Sequence, residues 1–261
     1  MTRQHIFTKS LLFFAACLFT TLLRAADTVA IMGAMDVEIE KLLPEIKNRK
    51  ETQLRGHTYY TGTLCEQNVV VTRSGIGKVN AALTTSELIN HFSADSIIFT
   101  GIAGAAHPEL EPKDVVISTA LVQHDVDLTT FGYEAGHMQG FDDRLFEADQ
   151  QLIQLATTAA EGFVGQENVN QGVIATGDQF IADKADVKNI HHEFQAMAVE
   201  MEGAAMAQVA FLYDKPMVVI RTISDKADGS AHMDYNTMKA ITAYNSTGIT
   251  LRILEAMPSS I

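Results

Sequence analysis

Short apolar runs that end in glycine or in a charged residue recur along this chain. They include TVAIMG, SIIFTG, DVVIST, VNQGVIATGD and PMVVIRTISD, and stretches of helical character separate them. Runs that are apolar on both faces are typical of buried strands in a parallel sheet, because helices must cover both sides of such a sheet. The pattern predicts one α/β domain with three layers, in which a central mixed, largely parallel sheet is flanked by helices.

The chain is long enough for such a domain, since 261 residues with 47% hydrophobic side chains can bury a large core. Helices are predicted at residues 36–48, 77–92, 148–160, 203–213 and 236–257. A β-hairpin is predicted around residues 66–68. No repeat or interdomain linker interrupts the pattern.

Residues 1–26 have the pattern of a secretory signal peptide. Arg3 and Lys9 precede the apolar run SLLFFAACLFTTLL, and the small residues Ala25 and Ala26 follow it. This order of a positive end, a short apolar stretch and a small-residue exit predicts cleavage after Ala25 or Ala26. The remaining domain, residues 27–261, would then be periplasmic or secreted.

Two other interpretations of the same segment are open. The apolar run could anchor an uncleaved chain in a membrane, although it is short for a span of the bilayer. Cys17, in FAAC, could carry a lipid, but few apolar residues precede it.

Charge and cysteine content exclude several classes of protein. The formal net charge is −13, and loss of Arg3, Lys9 and Arg24 with the leader takes it to −16. Such an acidic chain is a poor partner for a nucleic-acid backbone or an anionic membrane surface. After cleavage Cys65 is the one remaining cysteine, so no intrachain disulfide can form. We expect Cys65 to be a small packed side chain and not a catalytic thiol.

Glycine and charged residues gather where the predicted strands end, in GAMDVE, SGIGKV, TGIAGA, ATGDQF, VEMEGA and RTISD. In an open α/β sheet the ligand crevice lies at the carboxyl ends of the strands, so these six segments are expected to meet at one site. SGIGK lacks the spacing of a P-loop, and GIAGA lacks the dinucleotide-binding fingerprint. HDVD, at residues 124–127, has no further ligands with metal-binding spacing, so no metal site is expected.

Two carboxylates one residue apart, Glu200 and Glu202, lie in the otherwise apolar segment AVEMEGAAMA. If this segment is extended, both side chains point to one side and Met201 points to the other. An ionised carboxylate accepts hydrogen bonds and donates none, so a half-buried one needs donors, and the vicinal hydroxyls of a ribose are such donors. Glu202 could equally pair with an arginine or cap the helix that begins at Gly203.

An acid and a base follow two other strands. Arg221, Ser224 and Asp225 come at the end of an apolar run, where an acid that is shielded from water can keep a proton at neutral pH. Glu38, beyond the first strand, is a carboxylate that can take a proton from water. Such a pair suits cleavage of a glycosidic bond, because the acid protonates the leaving group while the base activates water.

Seven motifs occur in one order: IMGAMDVEIEKL, SGIGKVNAA, TGIAGA, HDVDLTTFGYEAG, TGDQFI, VEMEGAA and RTISDKAD. From about Val29 to the last helix the chain resembles the 5′-methylthioadenosine/S-adenosylhomocysteine nucleosidases of the nucleoside phosphorylase superfamily. The resemblance implies a single α/β domain that forms a homodimer. It also implies hydrolysis of the N-glycosidic bond of 5′-thio-substituted adenosines to adenine and a thioribose, with no metal or organic cofactor.

The resemblance implies roles for individual residues. Glu38 would be the base that activates water, and Asp225, held by Ser224, would be the acid that protonates N7 of adenine. Glu202 would bind the ribose hydroxyls while Met201 packs against the sugar. Both residues can touch one ribose only if the strand is already turning into its helix at this point.

Further binding residues are implied by position. The main chain of Phe180 and Ile181 would read the adenine edge. Phe131 and Tyr133 would reach across the dimer and cover the 5′ substituent in the neighbouring subunit. The substrate-binding set is completed by Met35, Ile76, Gly104, Arg221 and Tyr235, of which Arg221 would help to place Glu38 and the water.

The chain departs from the family at three positions. Ile102 stands where the family often has serine, and Gln139 and Tyr235 replace apolar residues expected near the 5′ tail and the lid. These changes leave the chemistry intact and bear on the preference among 5′ substituents.

Two rival functions are a phosphorylase acting on purine nucleosides or uridine, and an exported nucleoside-binding protein without turnover. The first-strand turn favours water over phosphate as the nucleophile, because it carries Asp36 and Glu38 and no arginine. The presence of Glu38, Arg221 and Asp225 together argues against a protein that only binds.

Overall fold

Ten strands form one sheet in the part of the chain that the structure describes. The computed structural model describes residues 27–225 and 231–258, with all of their side chains except those of 231–237 and 239. The predicted leader and its cleavage site lie outside the described residues. The strands are β1 (Thr28–Gly33), β2 (Lys47–Leu54), β3 (His57–Leu64), β4 (Gln67–Arg73), β5 (Ser96–Ala105), β6 (Val115–Gln123), β7 (Leu145–Glu147), β8 (Val169–Thr176), β9 (Ala196–Glu200) and β10 (Met217–Asp225).

The sheet folds back on itself because β10 pairs along both of its edges. It is parallel to β5 on one side and antiparallel to β6 on the other, which closes β5, β9, β8, β6 and β10 into a ring. From β5 the strands β1, β4, β3 and β2 continue as an open sheet, in which β1 is parallel to both neighbours. The prediction of a mixed sheet in an α/β domain is therefore confirmed.

Helices cover the sheet, and all nine residues of β10 are buried beneath them, as expected for a strand covered on both faces. The described α-helices are α1 (Asp36–Ile39), α2 (Lys78–Phe92), α3 (Gln150–Val164), α4 (Lys184–Phe194), α5 (Gly203–Leu212) and α6 (Ala231–Ala256). The helices predicted from residues 77, 148, 203 and 236 onward are confirmed, with ends that differ by a few residues. Among the helices that the structure describes, none combines the length and the apolar character needed to cross a membrane.

The helix predicted at residues 36–48 is wrong. Only the single turn of α1 forms there, and a 3₁₀ turn at Leu43–Glu45 then leads into β2. Pro44 lies within that turn and cannot donate the backbone hydrogen bond that a continuing helix requires. β2 shows no apolar alternation because it is an edge strand: its pairing among the described strands is with β3, and seven of its eight residues are exposed.

β3 and β4 form the predicted hairpin. Its turn lies at Cys65 and Glu66, whose φ angles of 48° and 63° are typical of the two central residues of a type I′ turn. Cys65 is half-buried and packs against the core, as predicted, and burial raises the pKa of its thiol.

Glu87, a buried carboxylate that is not among the predicted site residues, connects α2 to β3. Glu87 is 2% exposed and accepts hydrogen bonds from the Tyr59 hydroxyl and from Arg55 Nη1 at 2.9 Å. Although burial raises the pKa of Glu87, the bonds from Tyr59 and Arg55 and the charges of Arg55 and His57 together lower it below its ordinary value. Glu87 therefore stays ionised in the folded protein.

Candidate active site

A cavity of about 340 Å³ opens at the carboxyl ends of β1, β5, β9 and β10. Four carboxylates line it, those of Glu38, Glu200, Glu202 and Asp225, and no lysine, arginine or histidine is among the described residues around it. The other lining residues are Ala34, Met35, Ile76, Ile102, Ala103, Gly104, Gln179, Phe180, Ile181, Val199, Met201 and Ser224. The strand ends thus meet at one site, as the sequence predicts.

Glu38 is held in this cavity by backbone groups. α1 begins directly after β1 and brings the side chain back to the strand end, where it is 2% exposed. Its Oε2 accepts hydrogen bonds from Ala34 N (2.6 Å) and Met35 N (2.8 Å), and its Oε1 accepts one from Ile102 N (3.1 Å). Burial raises the pKa of Glu38, against the opposing effects of the Arg221 charge and these three N–H groups.

Two glycines leave the space that Glu38 occupies. A Cβ atom at Gly101 would lie 2.7 Å from Glu38 Oε1 and 2.8 Å from Arg221 Nη1. A Cβ atom at Gly33 would lie 2.9 Å from Glu38 Cβ. A side chain at Gly101 would displace the carboxylate or the guanidinium, and one at Gly33 would collide with the start of the Glu38 side chain and with Ile39, so both positions require glycine by close approach.

A β-bulge at the end of β10 directs two consecutive residues into the cavity. The pairing with β5 shifts between Ile223 and Asp225, so Ser224 is an extra residue in the ladder. In a regular strand Ser224 and Asp225 would face opposite sides of the sheet, whereas here both line the cavity. Ser224 Oγ lies 2.6 Å from Asp225 Oδ2 and 3.3 Å from the carbonyl oxygen of Ala103. The hydroxyl thereby ties the Asp225 carboxyl to the end of β5.

Arg221 lies behind the cavity lining and not in it. Its Nη2 is 2.6 Å from Glu200 Oε2, and the two residues are only 1% and 7% exposed. The guanidinium also lies over the Phe99 ring, 4.4 Å from its centroid, and Nη1 donates to the Phe99 carbonyl oxygen at 3.4 Å. The ion pair therefore belongs to Glu200, while Arg221 acts on Glu38 and Glu202 through its charge.

Glu200 also holds the turn between β9 and α5. Its carboxylate accepts hydrogen bonds from Glu202 N (3.2 Å), from Gly203 N (2.8 Å) and from the Thr176 hydroxyl. β9 ends at Glu200, and the backbone of Glu202, with φ −136° and ψ −39°, is no longer extended. Met201 and Glu202 consequently both line the cavity. The arginine pairing and the helix capping that were alternatives for Glu202 are both performed by Glu200.

Glu202 is 6% exposed, and its Oε1 accepts a hydrogen bond of 2.7 Å from Gly77 N at the start of α2. Burial and the charge of Glu200 raise the pKa of Glu202 to about 8, although Arg221 and the Gly77 N–H lower it. Three carboxylates, including Glu38, thus share one guanidinium, which balances a single negative charge. The ligand-free protein therefore keeps a proton on Glu202 at neutral pH.

The remaining predicted residues lie around the rim or apart from the cavity. Ile76 and Phe180 are 53% and 58% exposed at its edge. Phe131, 78% exposed, and the half-buried Tyr133 follow β6 and do not line the cavity, and the exposed Gln139 lies further along the same segment. Tyr235 lies in α6, outside the described side chains.

Four lining residues escaped the sequence analysis: Ala34, Ala103, Gln179 and Val199. Each is part of, or next to, one of the strand-end motifs, so the motif was the available signal. Their own side chains gave none, because small or aliphatic residues at strand ends are equally common in cores.

The HDVD segment forms a loop that is bonded to two segments near the cavity. Asp125 accepts hydrogen bonds from Lys78 Nζ (2.6 Å) and from Asp178 N (3.0 Å), which joins the loop to α2 and to the segment after β8. Within residues 27–225 and 231–258, no group of three or more His, Cys, Asp or Glu side chains is arranged to hold a metal ion.

Comparison with known proteins gives a consistent set of relatives. A model of the phosphorylase superfamily matches residues 28–255. The 5′-methylthioadenosine/S-adenosylhomocysteine nucleosidase of Anoxybacillus flavithermus is 44% identical over 220 residues, which cover 84% of this chain and 94% of that protein. The crystal structure of the Neisseria meningitidis nucleosidase of the same name, in complex with methylthio-immucillin-A, has a TM-score of 0.85 at 39% identity, covering 88% of this chain and all of that one (100%). The futalosine hydrolase of Helicobacter pylori has a TM-score of 0.82 at 33% identity, covering 89% of this chain and 99% of that chain.

Replacing Glu202 by glutamine is expected to stabilise the ligand-free protein at high pH. The pKa of Glu202 lies above its ordinary value of 4.5, so the stability that this group contributes is complete below about pH 4.5 and is lost as the pH rises through about 8. Glu202→Gln removes this loss and keeps an acceptor for Gly77 N. Its melting temperature should exceed that of the wild type by about 4 °C or more at about pH 9 and differ little at about pH 5, since 1 kcal/mol corresponds to about 2–4 °C in a domain of this size.

Glu87→Gln is the matched control, because the pKa of Glu87 is lowered and its stabilising effect has the opposite pH dependence. This variant should melt below the wild type at neutral pH, with a difference that shrinks only as the pH falls below about 4.5, the ordinary pKa of the group. Thermal melts followed by circular dichroism across the pH range measure both. A Glu202→Gln difference that stays constant across that range would contradict the raised pKa.

Proposed function

The chain belongs to the 5′-methylthioadenosine/S-adenosylhomocysteine nucleosidases of the phosphorylase superfamily, and we propose how its site hydrolyses the N-glycosidic bond of these two nucleosides. The products are adenine and the corresponding thioribose. The observation that carries the mechanism is a cavity with four carboxylates and no described cationic residue in its lining. Glycosidic bonds break through a transition state in which the sugar becomes positively charged, and negative groups fixed around it stabilise that charge.

Asp225 acts on the leaving group. Adenine departs readily only when it takes up a proton, because it then leaves as a neutral base. Ser224 and the bulge in β10 hold the Asp225 carboxyl at the cavity wall, beside Gly104 of β5. Asp225 delivers its proton to N7 of adenine, whose edge lies against the main chain next to Ile181.

Glu38 acts on the water. Its Oε2 accepts two backbone hydrogen bonds, but Oε1 accepts one, from Ile102 N, and so keeps a lone pair for a water molecule. Burial raises the pKa of Glu38, which makes this carboxylate a stronger base than one in water. Glu38 takes a proton from the water as its oxygen attacks the anomeric carbon.

Glu202 binds the sugar. Its Oε1 accepts a bond from Gly77 N, and its Oε2 accepts none from any described residue, so Oε2 is available to the ribose hydroxyls. Hydroxyl donors and a developing positive charge both favour the ionised form of Glu202. The proton that Glu202 holds in the ligand-free protein is therefore released to solvent as the substrate binds, before the transition state forms.

Water suits this site better than phosphate. A phosphate nucleophile needs cationic groups at the position of attack, but Arg221 is 1% exposed and paired with Glu200. An anion that entered would meet the ionised Glu38, and no described lysine, arginine or histidine in the lining would compensate its charge. The neutral nucleophile meets no such repulsion.

We extend the proposal to a homodimer in which the neighbouring subunit completes each site. Val79 and Leu83 are exposed by 78% and 37% and lie four residues apart on one face of α2, and Ile76, 53% exposed, immediately precedes this helix. Ile76 also lines the cavity, so a subunit seated on this face reaches the substrate. Phe131 is exposed and follows a turn in which the Asp127 carboxylate accepts hydrogen bonds from the backbone N–H and the hydroxyl of Thr129. Exposed apolar groups of this kind mark interfaces, and Phe131 of one subunit would cover the 5′ substituent in the other.

We also propose that residues 1–26 are a signal peptide and that the enzyme acts in the periplasm or outside the cell. The support is the order of Arg3 and Lys9, the apolar run and the small residues Ala25 and Ala26.

Hydrolysis is tested by incubating the purified protein with methylthioadenosine in phosphate-free buffer. Adenine should appear at a rate that added phosphate does not change, with free methylthioribose as the second product. Glu38→Gln and Asp225→Asn should each lower kcat by about 10²–10⁴-fold, the usual contribution of an acid or a base, while still binding methylthio-immucillin-A. Chromatography of the products with calorimetry of inhibitor binding measures both.

Asp36→Asn serves as the control for these variants. Asp36 lies in the same helical turn as Glu38, but its side chain is 73% exposed and pairs with Arg73 at the surface, so near-normal turnover is expected. Adenine release that depends on phosphate would reject hydrolysis in favour of phosphorolysis. The same assay with a panel of 5′-substituted adenosines ranks the substrates.

The shared site is tested by mixing two impaired variants. Phe131→Ala lacks the cover that it lends to its partner, and Glu38→Gln lacks its own base. A mixed dimer would hold one complete site, the one in the Phe131→Ala subunit covered by the partner's intact loop, so subunit exchange should restore about a quarter of wild-type activity.

Mixing Glu38→Gln with Asp225→Asn is the control, because every site in that mixture keeps one defect and no activity should return. Analytical ultracentrifugation establishes that dimers form and exchange. Activity of the first mixture that merely equals the mean of its parts would contradict a site shared between subunits.

Export is tested on the natural host's protein by mass spectrometry of its amino terminus. A mature chain that begins at Ala26 or Asp27 in the periplasmic or secreted fraction is expected. An intact Met1 on the soluble protein would reject the proposal.

A further inference from the structure

Glu200 has no role in the proposed chemistry, yet its carboxylate has several hydrogen-bond partners and an ion pair. Its two oxygens accept bonds from Glu202 N, Gly203 N and the Thr176 hydroxyl, and they form the ion pair with Arg221. Its own carbonyl oxygen accepts a bond from Gly177 N. The side chain is 7% exposed, so these partners and not water satisfy it.

These bonds join three elements that carry the site. Thr176 ends β8, and its hydroxyl oxygen also accepts a bond of 2.8 Å from Ala204 N, so β8 and the start of α5 are tied to the same carboxylate. Glu202 and Gly203 both donate their backbone N–H groups to the Glu200 carboxylate, which fixes the turn from β9 to α5 that bears the Glu202 side chain. Arg221 belongs to β10, four residues before Asp225. One carboxylate therefore sets where the sugar-binding group stands relative to the strand that bears the acid.

We infer that Glu200 is a positioning residue, which orients the turn that presents Glu202 and reserves the buried Arg221 so that the guanidinium does not pair with Glu202 or Glu38. It touches no reacting atom in the mechanism above. The predicted effect on kcat rests on the proposed function. The predicted effect on the ionisation of Glu202 does not, because it can be measured without turnover.

The electrostatic consequence concerns the ionisation of Glu202. The groups that act on Glu202 are Glu200 on β9, Arg221 on β10 and Glu38 on α1. Beyond them, His124 at the end of β6 acts on Glu200 and is flanked by Asp125 and Lys78, which neutralise each other in an ion pair. Loss of the Glu200 charge removes the nearest negative group and frees the nearest positive one, and both changes favour the ionised form of Glu202.

The decisive variant is Glu200→Gln, which keeps the shape and an acceptor for Gly203 N but loses the charge. Misplacement of the sugar-binding group should lower kcat by about 100-fold. The acid limb of kcat/KM, which reports ionisation of the free enzyme, should move to lower pH by about one to three units. The fall of the melting temperature with pH, which in the wild type ends near pH 8, should end at a correspondingly lower pH in this variant.

Two further variants separate positioning from a general loss of structure. Glu200→Asp keeps the charge on a shorter side chain, so its acid limb should stay at the wild-type pH even if kcat falls. Glu87→Gln removes a carboxylate that is also buried, paired with an arginine and bonded to a hydroxyl, but that lies outside the cavity lining. It should melt at lower temperature with an unchanged kcat and an unchanged acid limb.

The outcomes distinguish the two proposals. A wild-type protein that releases no adenine, with a melting profile that still shifts in Glu200→Gln, would reject the nucleosidase mechanism and keep the positioning role. An active wild type together with unshifted rate and melting profiles in Glu200→Gln would overturn the positioning role. Equal shifts in Glu200→Gln and Glu87→Gln would also overturn it, because any buried carboxylate would then suffice.

Discussion

Three carboxylates around one buried guanidinium are the constraint on which the rest of this site depends. Arg221 can neutralise one of them, and the structure commits it to Glu200 at 2.6 Å. Burying the other two without a cation is costly, and the fold offsets part of that cost with backbone donors: three N–H groups on Glu38 and one on Glu202. The site therefore holds more carboxylates than cations, and once Glu202 ionises it is complementary to a positively charged sugar.

The ring of strands supplies the geometry that this charge arrangement needs. Because β10 pairs with both β5 and β6, the ends of β5, β9 and β10 face one another across a short distance instead of lying along a flat edge. The ladder between β9 and β5 has two register pairs, Gly104 with Val199 and Ala105 with Ala198, immediately before Glu200. The strand pairings that close the sheet are thus the ones that place the carboxylates at the cavity.

Much of the fold follows from the sequence because buried strands carry a strong signal. The runs that became β1, β5 and β10 are largely apolar on both faces, which is typical of strands that helices cover on both sides. The failures are at residues 36–54, where a helical spacing was interrupted by Pro44 and a polar edge strand followed. An edge strand is specified by its neighbour's unpaired backbone, which leaves no pattern in its own side chains.

The sequence predicted which residues form the site but not which of them pair with each other. Glu38, Glu202 and Asp225 follow strands, so their convergence could be expected from topology. Glu200 and not Glu202 pairs with Arg221 because the backbone turns after Glu200. If VEME were extended throughout, both side chains would point to the same side and the sequence would not distinguish them. The bulge that turns Asp225 toward the cavity is likewise a matter of pairing register, which adjacent residues do not encode.

The anchoring of Glu38 by main-chain groups has an evolutionary consequence. An N–H group is the same whatever side chain accompanies it, so mutation at Ala34, Met35 or Ile102 can reshape the cavity wall without unfastening the carboxylate. Gly33 and Gly101 have no such freedom, because a β-carbon at either position collides with the Glu38 side chain. Descendants of this enzyme can therefore diverge in the nucleosides they accept while inheriting one hydrolytic apparatus, and selection on substrate choice is decoupled from selection on chemistry.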